Sequence, residues 1–139
     1  MAYCTVADLS GRFGEAELIQ LTASGQGPGA GVDSAVAALA IHDATAEIDG
    51  YLARRYTLPL TAPGANLVRI ACDIARYRLY EDAAPDTVRQ RYEQAIRYLE
   101  RVAGGGLDLG LPEESQSPAG GTPEAVFTAD TPVFGRNAL

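Results

Sequence analysis

The chain has 139 residues, enough for one domain with a modest core and too few for two ordinary ones. A net charge of −7 excludes a general nucleic-acid binder that works by neutralising phosphates. All eleven cations are arginine, a bias that a GC-rich genome would produce, but also one that favours subunit contacts through the planar guanidinium.

"TVADLSGRFGEAELIQLTA" reads as two short helices, with Thr5 capping the first, Gly14 breaking it, and Leu9, Phe13, Leu18 and Leu21 on one buried side. "SGQGPGAG" at 24–31 is a loop by composition. Asp33 caps a long third helix running toward Tyr56, roughly 35 Å of rod. Its expected buried stripe is Val32, Val36, Leu39, Ile48 and Leu52, with Ala35, Ala38, Ala40 and Ala44 permitting close approach. Gly50 inside that helix costs about 1 kcal/mol and predicts a close backbone contact.

Pro59 and Pro63 lead into a fourth helix, "LVRIACDIARYRLYED", in which Leu67, Ile70, Ile74 and Tyr77 recur at helical spacing while Arg69, Asp73, Arg76 and Arg78 fall between them. Pro85 suits the first turn of a fifth helix, where Val88, Tyr92, Ala95, Leu99 and Val102 form a packing seam that "GGG" at 104–106 ends. The predicted fold is therefore an all-α bundle of about five helices over 1–106. Residues 107–139 read as an extended linker, rich in Gly, Pro and Ser, and a C-terminal arm whose anchors are Val126, Phe127, Val133, Phe134 and Leu139.

Each candidate for chemistry fails a context test. The Gly-rich loop lacks the Gly-Lys-Ser/Thr ending and a preceding strand, so a phosphate role is rejected. His42, the only histidine, has no nucleophile motif beside it. Asp43 and Glu47 stand one turn apart but lack a third ligand, and read as a solvated acidic face. The first two helices have the size of a helix-turn-helix, yet the reader helix would carry Glu15 and Glu17 and no cation. Cys4 and Cys72 have no metal-ligand spacing, and Cys72 reads as a small core residue. No catalytic residue, cofactor or metal is expected. The start "MAYCTVADL" does not read as a signal peptide, and no stretch approaches the ~20 apolar residues of a membrane span. A reducing cytoplasm, or a particle assembled there, is the expected location.

Seven of the eleven arginines (Arg69, Arg76, Arg78, Arg89, Arg91, Arg97 and Arg101) share residues 65–103 with six acids, whereas both ends of the chain are acidic. This mixed-sign middle is not a DNA-binding stripe. It reads either as a solvated face with local ion pairs or as a source of contacts to acidic surfaces of neighbouring copies.

"TVADLSGRFGEAELIQLT", "ATAEIDGYLARRYTLPL", "LVRIACDIARYRLYED" and "VRQRYEQAIRYLERVAGGGLDLGL" resemble, in that order, the Mu-like prophage neck protein family, and "VFTADTPVFGRNAL" resembles its closing arm. The resemblance implies a non-enzymatic head–tail connector of the virion, similar to helical adaptors that dock beneath the portal of tailed phages in a ring, commonly of twelve copies. DNA would pass through the lumen without sequence-specific binding, and further neck or tail proteins would sit below. A small helical regulator binding DNA or protein is the alternative, and an enzyme comes third.

For such a ring, Arg54 and Arg55 are the expected interface cations, one meeting the carbonyls of its own helix and the other reaching outward. Phe127, Val133, Phe134 and Leu139 are expected to insert into an adjacent subunit or the portal. The lumen should be neutral or electronegative, lined by acids of the third helix or by Asp108, Glu113 and Glu114, because cationic walls would hold the DNA.

Overall fold

Thr5 starts the first helix. Its hydroxyl accepts from the Asp8 N–H at 3.1 Å, and the Asp8 carboxylate accepts from the Thr5 N–H at 2.9 Å, a reciprocal capping box. α1 (Val6–Phe13) ends at Gly14, whose φ of 94° lies where a side chain would be strained, so α2 (Glu15–Leu21) departs at once in a new direction. The Asp33 carboxylate then accepts from the N–H groups of Ala35 and Val36, at 3.0 and 3.3 Å, and opens α3 (Ser34–Leu52). α4 (Ala65–Tyr80) and α5 (Asp86–Ala103) follow, joined through a short 3-10 turn at Glu81–Ala83.

The computed structural model describes residues 2–23, 27, 29–60 and 62–110. Among them are five α-helices and no strand, the predicted all-α bundle. The expected C-terminal arm, including Val126, Phe127, Val133, Phe134 and Leu139, lies outside the described residues. Among the described residues no helix is long and apolar enough to cross a membrane.

α4 is the centre of the bundle, packed chiefly against α3 and α5 and also touching α1. Leu67, Ile70, Ala71, Cys72, Ile74, Ala75 and Leu79 are all buried, so its apolar surface wraps most of the helix instead of one stripe. Each fully buried Leu or Ile contributes about 1.5–3 kcal/mol of transfer free energy. On α5 the expected seam is present: Val88, Ala95, Leu99 and Val102 are buried and Tyr92 is half-buried.

α3 departs from expectation in three ways. It stops at Leu52, with Ala53–Arg55 already turning, which shortens the rod to about 28 Å. Its buried line is Ala37, Ala40, Ile41, Ala44, Ile48 and Leu52; Ala35 and Ala38 are exposed, and Leu39 is 63% exposed. The helix is apolar on so many sides that spacing alone does not choose the inward one. Gly50 is exposed, and a Cβ built there meets nothing within 4 Å, so the close backbone contact expected at this glycine is absent.

Candidate functional site

The charges of α4 explain how a helix with three arginines sits at the centre of the fold. Arg76 grips Glu17 of α2 through two hydrogen bonds, Nε at 2.7 Å and a terminal nitrogen at 3.0 Å, and its guanidinium lies 4.2 Å from the centre of the Phe13 ring. Arg78 donates to Glu47 of α3 at 2.6 Å, and the other Glu47 oxygen accepts from the Tyr92 hydroxyl of α5 at 2.8 Å. Tyr92 in turn stacks on Tyr77 of α4, ring centres 4.0 Å apart. Burial together with the Glu47 hydrogen bond pushes the Tyr92 hydroxyl up to about 12.

Asp73 is 4% exposed and has Arg69 and Arg91 at 3.7 and 3.8 Å. Burial raises its pKa, and these two cations, with Arg76 and Arg12, only partly oppose that. The arginines thus work inward, tying α4 to α2, α3 and α5. Glu47 is correspondingly a bridging group, not part of a solvated acidic face with Asp43. Glu17, on the helix that mimics a DNA reader, faces the bundle in the grip of Arg76. Among the described residues no cluster of three or more His, Cys, Asp or Glu is placed to share an ion.

The two expected interface cations sit differently. Arg55 donates to the Val102 carbonyl at 2.9 Å and the Leu107 carbonyl at 2.8 Å, so the helix end it caps is that of α5, not its own. Leu109 N–H donates to the Tyr56 hydroxyl at 3.0 Å, and Leu107 and Leu109 pack against the core. The chain therefore stays with the body through these residues. Arg54 is exposed and makes no hydrogen bond or ion pair among the described residues. Asp108 is exposed and accepts from the Gly110 N–H at 2.8 Å, while Glu113 and Glu114 lie outside the described residues.

The outer side of α3 is an exposed, mainly apolar surface among the described residues. Ala35, Ala38, Leu39, His42, Asp43, Ala46 and Gly50 are all exposed along it. One flank, around Leu39, borders a hollow shared with Leu21, Val36, Asp43 and Leu79. The other flank borders an open, mainly apolar groove of about 450 Å³ between α3 and the N-terminal segment, lined by Cys4, Val6, Ala38, Ile41, His42 and Asp49 among others. Among the described residues His42 has no orienting partner there, and nothing converges on it as a catalytic constellation would.

Comparisons with known proteins place the chain among relatives. A family model described as "Bacteriophage Mu, Gp36" matches residues 3–127. The chain is 37% identical to "Gene product J" of Escherichia phage Mu over 136 residues, which is 98% of this chain and 96% of that protein. It is also 42% identical to the "Mu-like prophage FluMu protein gp36" of Haemophilus influenzae over 106 residues, 76% of this chain and 74% of that one.

Proposed function

Because the chain belongs to the bacteriophage Mu Gp36 family, we propose that it is a structural protein of the phage particle, a head–tail connector rather than an enzyme. Copies associate into a ring beneath the portal, extend the DNA channel and present a platform to the tail. The lumen is neutral or acidic, so that DNA slides without being held by counterion release.

The observation that carries this reading is the outer side of α3. A leucine that is 63% exposed, flanked by alanines and a glycine, is what a second helix can approach closely once it covers the site. Arg54, exposed just past the end of the same helix and without a partner among the described residues, is the cation offered to a neighbouring copy. Arg55 belongs to the body of its own chain. The C-terminal residues Phe127, Val133, Phe134 and Leu139 supply a second set of anchors, seated on an adjacent copy or the portal.

Light scattering and negative-stain microscopy of the purified chain, alone and with portal protein, test the reading. Rings are expected for the native chain. Leu39→Glu should abolish them while leaving the thermal unfolding of the single chain unchanged, and Arg54→Ala should weaken them more than Arg55→Ala does. A chain that stays monomeric with and without portal, and that shifts the mobility of a specific duplex, would replace this reading by that of a DNA-binding regulator.

A further inference from the structure

A further hollow lies between α4 and α5, near the end of α5, and its rim is cationic. Arg69 of α4 and Arg97 and Arg101 of α5 surround about 330 Å³ of space, with Gln94 and Tyr98 beside them. Gln94, Arg97, Tyr98 and Arg101 recur at intervals of three and four, so one face of α5 presents them together. Among the described residues no carboxylate lines this space. Arg97 and Arg101 are exposed and make no hydrogen bond or ion pair among those residues, and Arg69 reaches only Asp73, at 3.7 Å. Three like charges around one hollow repel one another, and an anion placed among them relieves that repulsion.

The chain leaves α5 beside this hollow. The Gly106 and Leu107 N–H groups donate to the Arg101 carbonyl at 2.8 and 3.3 Å. Leu109 then borders a small cleft with Asn66 and Leu67 in the first turn of α4, and Arg69 follows on the same helix. After Gly110 the sequence runs Leu111, Pro112, Glu113, Glu114, the first acids beyond Asp108. Three residues span at most about 11 Å, so Glu113 stays within that distance of Gly110 by any path. The tether gives this acidic pair a high effective concentration at the cationic rim, and Pro112 has little backbone freedom to lose on docking. A nucleic-acid phosphate is a poorer occupant, because the net charge of −7 opposes its approach.

We propose that the cationic hollow between α4 and α5 receives the Glu113–Glu114 pair of the same chain, an ionic latch that fixes the direction in which the C-terminal arm leaves the body. The two carboxylates accept from the guanidinium groups of Arg97 and Arg101, and Arg69 supplies the positive charge of the opposite wall. The latch forms within one copy, so it does not depend on ring assembly. Where copies do assemble, a fixed point of departure reduces the conformational freedom the arm must lose when its anchors seat elsewhere. Exposed ion pairs are individually weak, so the latch is sensitive to salt.

The chain contains no lysine, so Arg97→Lys and Arg101→Lys, made separately in the full-length protein, each introduce the only side-chain amine that a carbodiimide can couple. At low ionic strength the coupling should join that amine to Glu113 or Glu114 of the same chain, with loss of one water, and peptide mapping reads the link. Rising salt should suppress it. In the otherwise native chain, amide exchange at 113–116 should be at least about threefold slower than in the double variant Arg97→Ala, Arg101→Ala. The proposal is overturned if neither introduced amine couples to Glu113 or Glu114, if the link forms only between chains, or if exchange at 113–116 is the same in both proteins. It is also overturned if the native chain retards a short DNA duplex and the double variant does not, which would assign the hollow to phosphate. Exchange measured on the native chain needs no coupling reagent, and both arginines are exposed, so their replacement leaves the core as it is.

Discussion

Gly50→Ala puts a methyl group on the exposed side of α3, at a position where a built Cβ finds no atom within 4 Å. The backbone there is regular helix, so alanine adopts it without strain. The change removes the conformational freedom that glycine gives the unfolded chain and that folding must freeze. Alanine exceeds glycine by about 0.8–1.0 kcal/mol in a helix interior. A folded body of this size gains roughly 0.23 kcal/mol/K of unfolding entropy at the midpoint, so the melting temperature should rise by about 4 °C. Far-UV circular dichroism of the single chain, at a concentration where native and variant proteins are both monomeric, measures this directly. A fall in melting temperature would refute the reasoning, since it would require a neighbour inside the chain that the geometry lacks. A rise accompanied by weaker ring formation would place Gly50 in the contact between copies.

Arg76→Ala leaves Glu17 half-buried without its partner and strips a cation from the Phe13 ring, so urea unfolding should show a loss of about 2–3 kcal/mol; a loss below about 0.5 kcal/mol would contradict the pairing. Asp73→Asn tests the buried acid through pH. Burial raises the folded pKa above the unfolded one, so stability present below the ordinary aspartate value is lost as pH rises through the raised value. The variant should therefore gain on the native chain across that window and hold a constant lead above it, read from urea midpoints between about pH 3 and 7; a pH-independent difference would exclude this account. Arg55→Ala removes the two hydrogen bonds that hold the α5 end and Leu107, and amide exchange at 107–110 should accelerate while exchange within α4 stays as it was. Unchanged exchange at 107–110 would mean that Leu107 and Leu109 are held by packing alone.

Local chemistry was legible in the chain where one residue decides it. Thr5 and Asp33 announce the starts of α1 and α3 because a side-chain oxygen three or fewer positions from the free N–H groups is enough. The α5 seam is readable because polar residues on its outer face leave one inward direction. α3 offered no such contrast: Leu39 and Ile41 are both aliphatic, and only the shape of the neighbours sets one outside and the other at 5% exposure. The pairing of Glu17 with Arg76 joins positions that sequence spacing does not relate. Asp73 reads as one more polar residue between apolar ones, and only the packing of α5 across it makes it a buried acid.

The apolar surface of α4 extends around most of its circumference, and a smooth greasy cylinder can settle among its neighbours at more than one rotation about its own axis. Its polar groups remove that degeneracy. Arg76 must meet Glu17 on α2, Arg78 must meet Glu47 on α3, and Asp73 must meet Arg91 on α5. One residue of rotation, about 100°, would turn each of them away from its partner. The three ionic contacts therefore act like the teeth of a key. They select a single angular setting for the helix against which α1, α3 and α5 pack, and through it a single shape for the folded body.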